Sequence, residues 1–535
     1  MTTNEKQLTL LALSLLCSPL AHAQRLLPPE QKDSIIIKSN VIKVTDIHPT
    51  KGMVNNTLDI LSGQAAGVNV TSNGLDRMAM LNSVRVRGTT SITGGNDPLV
   101  LIDGVTSDVT TLSTIYPADI ESFRILKNAA ETAMYGSRGA SGVIEVKTKK
   151  GTGRGFQISY EGNVGFEKMY KRLQMLDATE YVATAKAMGV HCNNAGYNSD
   201  FYKAITHTGM VNNHYLAFSG GNPQSNYRAS FGVMDHNTII RDKDYGVFVA
   251  KIDVTQKAFN DKLTGDFGVF GSSFKNHDIF DTQMLFYSAS CQNPTYSSVT
   301  DNNGNWTKNE TAYKINPPVL LLDEKSDSKD LNFDAHIKLS YDFNPYWRIS
   351  TFGSYLYGST ENSQFCPTLV WAQGNVYRGE FKKEEWLSNL SLDFNKKIGV
   401  HNISAQLSGE YRTLRKTAFW VYAKGITSNV FGYENLGAAS TRPYGGTEST
   451  YEDQSLASVM GSVTYSLKDR YSLSVNARGD GSSMVGDDHT WGFFPSVSLS
   501  WDLKKESFLA HSKHLSLLKL HTGIGQAGNL GGISA

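Results

Sequence analysis

Between Leu331 and Phe343 the chain alternates without a break. Leu331, Phe333, Ala335, Ile337, Leu339, Tyr341 and Phe343 are apolar or aromatic, and Asn332, Asp334, His336, Lys338, Ser340 and Asp342 stand between them. Side chains two apart share one face of an extended strand, so the pattern predicts a strand with one apolar and one polar face. Asn344-Pro345 predicts a turn, and Trp347, Ile349, Gly353, Tyr355 and Tyr357 carry the pattern onto a return strand. It recurs at Ile403, Ala405, Leu407 and Tyr411, set against Asn402, Ser404, Gln406 and Glu410. It recurs again at Val459, Val463, Tyr465 and Leu467, at Tyr471, Leu473 and Val475 after a Lys468-Asp469 turn, and at Val497, Leu499, Trp501 and Leu503.

Two architectures accept such strands. A soluble sandwich turns the apolar faces into a core; a membrane barrel turns them to lipid and the polar faces to a wet lumen. Alternation alone does not separate them. Two features favour the barrel. The strands read as about 9–13 residues, near the ~9–11 that cross a bilayer at a tilt. Tyr341, Phe343, Tyr346 and Trp347 cluster at strand ends, as in an interfacial aromatic girdle. Short polar turns at 395–399 and 468–469 contrast with long segments at 275–330 and 412–457, the asymmetry of periplasmic turns against extracellular loops.

Residues 50–151 change period and predict a compact α/β unit. Thr57 to Leu61 starts a helix with Thr57 as N-cap. Val68 to Val70, Ser83 to Gly88, and Leu99 to Ile102 before an Asp103-Gly104 turn read as strands. Pro117 opens a helical turn, where its missing N–H costs little. Phe123 to Lys127 is a strand or a helix end, Ala129 to Tyr135 a short helix stopped by Gly136, and Gly142 to Thr148 the last strand.

The N-terminus is an export signal. Leu8 to Leu16 is a short apolar core after Lys6, and Ala21-His22-Ala23 is a small-x-small cleavage site, which sets the mature start at Gln24. The core is too short to span a bilayer, and no later run reaches the ~18 apolar residues of a membrane helix. Residues 24–49 hold two β-prone pieces, Ser34-Ile35-Ile36-Ile37-Lys38 and Val41-Ile42-Lys43-Val44. They read either as a flexible arm or as the first strand of the next domain.

Composition removes several functions. Lys plus Arg number 51 and Asp plus Glu 50, so no basic surface is available for nucleic acid. Cys192, Cys291 and Cys366 are far apart and make no metal framework. Asp301 to Asn305 resembles a calcium loop, but Trp306 and Ala312 stand where an EF-hand needs Gly and Glu. Gly523-Ile524-Gly525-Gln526-Ala527-Gly528 spells a dinucleotide fingerprint without the helix and acidic residue that must follow, and reads as a barrel turn. Arg478-Gly479-Asp480 reads as a structural strand-to-loop segment. No Ser/His/Asp or Cys/His set appears. No catalytic residue, cofactor or metal site is expected, so the chain is not read as an enzyme.

The order VRVRG, PLVLIDGV and PADIESFRILKNAAETAMYGSRGASGVIEVKTKKG, from Val84 to Gly151, resembles the plug domain of TonB-linked outer-membrane receptors. Its DIES-like and YGSRGASGVI-like turns are typical of the SusC/RagA branch. FSGGN, NYRASFGVMD, ARGDGSS, HTWGFFPSVSLSWDL and LKLHTGIGQAGN extend the resemblance over roughly residues 50–535. The fold expected is a small α/β plug followed by a truncated antiparallel transmembrane β-barrel. The domains expected are a signal (1–23), a periplasmic arm (24–49), the plug (50–151) and a partial barrel (152–535). About a dozen strands stand against the 22 of large plugged transporters, so the barrel is expected to lack its closing strands, with open edges near Phe156 and Leu517 to Leu520.

The resemblance implies import of oligosaccharides or peptides across the outer membrane. TonB, with ExbB and ExbD, would supply energy by pulling on the arm, and a SusD-like surface lipoprotein would form a lid. Strand addition to a sheet edge suits the arm, so Ser34, Ile35, Ile36, Ile37, Lys38, Val41, Ile42, Lys43 and Val44 are the TonB-contact candidates. Arg85, Arg87, Arg138 and Glu145 are either plug–barrel contacts or solvated strand edges. The rival reading is a barrel that binds or adheres without transport.

Overall fold

The computed structural model describes the backbone of residues 41–43 and residues 57–70, 84–86, 88–89, 91–92, 95–152, 155–279, 282–295, 298–303, 322–368, 370–485, 491–512 and 514–530. The signal, Ser34 to Lys38, Val44 and Arg87 lie outside the described residues.

The plug is built on a five-stranded sheet. Its strands are β1 (Val41–Lys43), β4 (Leu99–Ile102), β5 (Val105–Ser107), β6 (Ile120–Leu126) and β7 (Val143–Thr148), in the order β1-β6-β7-β4-β5. β2 (Val68–Val70) and β3 (Val84–Val86) form a separate hairpin sheet. Helices α1 (Thr57–Leu61), α2 (Val109–Thr114) and α3 (Ala129–Thr132) complete it. The β4–β5 turn has two consecutive left-handed residues, Asp103 (φ 52°) and Gly104 (φ 93°), the backbone a two-residue hairpin needs. Leu58, Leu61, Val84, Leu112, Ile120, Phe123 and Ile144 fill the core. Thr57 is the first helical residue, and its hydroxyl donates to the carbonyl of Ile115, 2.6 Å away, which ties α1 to the end of α2. Phe123 lies in a strand, and the helix at Ala129 ends at Thr132, after which a 3-10 segment, Ala133–Arg138, kinks at Gly136.

Most of the rest is one antiparallel sheet, with helices at Ala178–Ala187, Phe201–Ile205, Thr282–Cys291 and Ser507–Ala510 in its connections. In chain order its strands are β8 (Gln157–Glu167), β9 (Gly209–Gly221), β10 (Ser225–Asn237), β11 (Asp244–Ala258), β12 (Leu263–Asp278), β13 (Lys325–Asn344), β14 (Trp347–Cys366), β15 (Asn375–Ile398), β16 (His401–Ile426), a short β17 (Ala439–Thr441), β18 (Thr447–Leu467), β19 (Tyr471–Ser482), β20 (Trp491–Asp502) and β21 (Lys519–Gly525). Each pairs with the next, except that β18 pairs with β16 and β17 lies to one side. β8 and β21 each have one strand neighbour among the described residues, so the sheet has two open edges.

The sheet is inside-out. On β13, Ile337 and Leu339 are 39% and 36% exposed, while Asp334 is 5% exposed. The same holds on other strands: Phe231, Phe248, Phe267, Leu407 and Val463 face out, and Lys251, Asp253, Ser272, Glu385 and Asn476 are buried. A soluble sandwich would bury the first set. Exposed apolar residues repeated over a dozen strands, with polar ones buried behind them, define a wall made to face lipid.

Strands of 20 to 26 residues in β13–β16 exceed the 9–13 read from the pattern. The long segments expected at 275–330 and 412–457 shrink to 279–324 and 427–446. Charged residues that read as loop instead continue the ladder. Lys416 lies opposite Glu452 across the β16–β18 pair, 3.1 Å apart, a cross-strand ion pair of the kind that supports a solvated sheet. Short turns at 222–224, 259–262, 345–346, 399–400 and 468–470 mark one end, together with a longer connection at 503–518, and the longest connections, 168–208, 279–324 and 427–446, lie at the other. This is the direction of asymmetry expected between periplasmic turns and extracellular loops.

The lipid-facing assignment is testable. Ile337→Arg is expected to cost ~2–4 kcal/mol if Ile337 lies near the bilayer midplane, while Lys338→Arg, one residue away on the other face, stays near neutral. Denaturant titration of protein refolded into lipid vesicles measures both. Equal effects at the two positions would contradict the assignment.

Candidate functional site: the plug–wall interface

The plug lies against the polar face of the wall, and the tightest part of the contact is built around one glycine. Gly136 sits at φ 53°, ψ −125°. A Cβ there would fall 2.1 Å from Asp480 Oδ2 and 2.7 Å from Arg478 Nε. Only glycine lets the backbone come this close. The kink aims the Ser137 amide and hydroxyl at Asp480 Oδ2, both at 2.8 Å. It also sends Arg138 to Glu410 Oε1 at 2.6 Å, on β16.

Arg478 completes the cluster. Its guanidinium donates to Asp480 (2.6 Å), Glu410 (3.1 Å), the Ser458 hydroxyl (2.9 Å) and the plug carbonyl of Met134 (3.0 Å). Two guanidiniums thus meet two carboxylates. Arg478 and Asp480 are 4% and 3% exposed, so the charges are desolvated and rely on one another.

A second anchor is Asp119, at the end of the 3-10 turn opened by Pro117. Its side chain is 3% exposed and accepts hydrogen bonds from Tyr215 (2.5 Å) on β9 and from Arg228 (3.3 Å) and Ser230 (2.7 Å) on β10. Tyr116 stacks on Tyr215 with ring centroids 4.5 Å apart.

Smaller contacts fill the space between. The Thr114 hydroxyl meets that of Ser272 at 3.1 Å. Lys251 on β11 pairs with plug Asp103 at 3.3 Å and with Asp253 beside it. Burial raises the Asp103 carboxyl, but Lys251 and two hydrogen bonds from Thr148 outweigh it and hold the group below its ordinary value. On β21, the glycines of the dinucleotide-like motif serve close approach. Ala130 Cβ lies 2.9 Å from where a Gly523 Cβ would sit, and the Ala129 carbonyl 2.8 Å from that of Gly525. Gly523 and Gly525 stand within the strand, not in a turn.

Of the residues singled out from sequence, Arg138 contacts the wall directly. Arg85 pairs with Asp97 at 2.5 Å, inside the plug. Glu145 pairs with Arg124 at 3.1 Å and accepts from the Tyr135 hydroxyl, whose pKa burial and Glu145 push up. Glu145 also borders a cleft of about 590 Å³ that Asp266, His336 and Phe352 of the wall line from the other side. Val41, Ile42 and Lys43 form the edge strand of the plug sheet, opposite Arg124, Phe123 and Ser122. Sequence reading passed over Arg478, Asp480 and Asp119. For the first two a signal existed. If Tyr471, Leu473 and Val475 face lipid, a period of two puts Asn476, Arg478 and Asp480 on the lumen face.

No group of three or more His, Cys, Asp or Glu side chains gathers to hold a metal among the described residues. No described helix is long and apolar enough to cross a membrane, which leaves crossing by strands untouched.

A lipid-facing antiparallel wall with an α/β domain pinned to its polar side defines a plugged membrane barrel. The chain belongs to the TonB-dependent receptor family, of the SusC/RagA type. The TonB-dependent receptor plug domain model matches residues 32–143, and the TonB-dependent receptor-like β-barrel model matches residues 253–528, just over half the chain. TonB-dependent receptor SusC of Bacteroides thetaiotaomicron is 31% identical over 90% of this chain and 50% of its own length. TonB-dependent receptor P3 of Formosa agariphila is 30% identical over 88% of this chain and 47% of its own. The chain therefore spans about half the length of the curated relatives it matches. In fold, the RagAB peptide importer in its closed-closed state aligns with a TM-score of 0.75 at 18% identity, over 92% of this chain and 60% of that one. The unliganded ferric citrate transporter FecA aligns with a TM-score of 0.59 at 11% identity, over 92% and 63%. The barrels of this family are outer-membrane barrels.

Proposed function

We propose that this chain supplies the plug and part of the barrel of an outer-membrane importer for oligosaccharides or peptides, exported with cleavage near Ala23. The observation that carries the reading is the balanced, buried charge cluster between plug and wall. Such contacts keep a lumen shut, and opening them takes work. The chain offers no phosphate-binding loop, so the work comes from outside. TonB, driven by ExbB and ExbD, pulls on the arm at Ser34 to Lys38 or at Val41 to Asp46. A segment there binds by strand addition, which relies on backbone hydrogen bonds and tolerates varied side chains. A SusD-like lipoprotein covers the long-loop end and hands cargo to the lumen. The plug domain is taken as 50–151 together with the edge strand at Val41–Lys43, and Arg138 as its main charged contact with the barrel.

Deleting Ser34 to Lys38 from the full-length receptor, which leaves the plug's edge strand Val41–Lys43 in place, is expected to abolish uptake of the cognate nutrient and leave surface binding intact. Uptake and binding of labelled nutrient by whole cells read the two separately. Undiminished uptake would point instead to a passive pore or an adhesin.

A further inference from the structure

On the lumen face of β15 and β16, aromatic rings gather round a glycine. Lys383 on β15 pairs with plug Asp108 at 3.7 Å, and Glu410 on β16 with plug Arg138 at 2.6 Å. Odd positions of β15 and even positions of β16 therefore turn inward, and the two strands pair without a register shift. Past Lys383, toward the long-loop end, this period brings Phe381, Gly379 and Tyr377 of β15 and Trp420 of β16 onto the lumen face. Gly379 stands opposite Trp420. A Cβ on it would fall 2.5 Å from the Tyr377 hydroxyl and 3.2 Å from Phe381 Cε2, so the two rings lean over the glycine from either side. The Phe381 and Trp420 rings are nearly parallel, 15° apart with centroids 6.2 Å apart, and Phe381 is 37% exposed. Together they make an aromatic floor that opens to the lumen beside the plug contact.

The rim selects the occupant. By register, Thr360, Asn362 and Gln364 on β14 stand opposite Phe381, Gly379 and Tyr377, and Glu448 on β18 stands opposite Trp420. The charges nearest the plug side of the floor are paired, Lys416 with Glu452 at 3.1 Å and Lys383 with Asp108. An open aromatic face edged by hydroxyl, amide and carboxylate groups matches the two sides of a sugar ring. The C–H face of a pyranose lies on the negative face of the aromatic ring, and its hydroxyls bond to the polar groups at the edge. A charged guest would have to compete with ions that already have partners.

We propose that Tyr377, Phe381 and Trp420 form a subsite for a pyranose unit of a neutral oligosaccharide, which is then the cargo of the importer proposed above.

The test starts from the full-length receptor, purified from its membrane and screened against arrayed neutral oligosaccharides and a library of synthetic peptides. Oligosaccharides are expected to be captured in preference to peptides. The tightest binder is then titrated by calorimetry. Trp420→Ala and Phe381→Ala are each expected to weaken it about tenfold, near the upper range of an aromatic stacking contact. Trp420→Phe, which keeps a ring, should recover most of that loss. Gly379→Leu, which crowds Tyr377 and Phe381, should weaken binding with all three rings present. Phe419→Ala, on the outer face of the same strand and 53% exposed, leaves the affinity unchanged. Heat-modifiable migration on a gel shows that each variant is folded. Capture of peptides in preference to oligosaccharides would overturn the subsite, as would equal affinity in the wild type and the Trp420 and Phe381 variants. Sugar binding that these variants lose, without TonB-dependent uptake of that sugar by wild-type cells, would uphold the subsite and overturn the importer reading instead.

Discussion

Cells carrying Arg478→Ala in the full-length receptor are expected to leak. Arg478 binds Asp480, Glu410, Ser458 and the Met134 carbonyl at once. Its removal leaves the buried Asp480 without its paired cation and the half-buried Glu410 with Arg138 alone, and breaking a buried pair in this way typically costs ~3–5 kcal/mol. That cost falls on the plug–wall contact, because each strand of the wall is held by its own ladder of backbone hydrogen bonds. The plug should then sit loosely, and antibiotics too large for ordinary porins should enter. Gly136→Ala should act through the same contact from the plug side. Its Cβ would overlap Asp480 Oδ2 at 2.1 Å, and its φ of 53° disfavours any side chain. Arg124→Ala is the control. Arg124 is 51% exposed in its pair with Glu145, and such surface pairs contribute ~0–1 kcal/mol. Antibiotic susceptibility at matched receptor levels measures all three. If the Arg478 and Gly136 variants were as tight as the Arg124 variant, the cluster would not hold the plug.

Much of the wall was legible from one period. The alternation from Leu331 to Phe343 predicted which residues face out, and the burial of Asp334 against the exposure of Ile337 follows it. What alternation could not supply was the identity of the medium, because sandwich and barrel share the pattern. Burial of the polar set decided it. Strand length was under-read because hydropathy sees the membrane part of a strand only. Lys382 to Glu385 and Arg415-Lys416 look like loop, yet cross-strand pairing carries the sheet through them.

In the plug, local chemistry was legible where the backbone is unusual. Asp103-Gly104 gave a turn, and Pro117 a helical start. Partners were not legible, because a charge in a sequence does not name the residue it meets. Arg85 and Arg138 look alike as isolated arginines on polar stretches. One finds Asp97 twelve residues away, and the other finds Glu410 on a strand 272 residues on. Arg478-Gly479-Asp480 reads in sequence as a strand-to-loop segment and Gly523 to Gly528 as a barrel turn. In the fold, Arg478, Asp480, Gly523 and Gly525 all press on the plug, since each lies on the inward face of its strand.

The measurement that tests the central claim most directly is a reversible staple between plug and wall. Thr114 and Ser272 bring their hydroxyls within 3.1 Å and carry no charge of the cluster. Thr114→Cys with Ser272→Cys should oxidise to a disulfide in whole cells, seen as a shift on a non-reducing gel. Uptake of the cognate nutrient should then fall to background with surface binding unchanged, and a reductant should restore it. No crosslink would mean that the plug does not lie against the wall as described. A crosslinked receptor that still imports at the wild-type rate would mean that the plug is not the door.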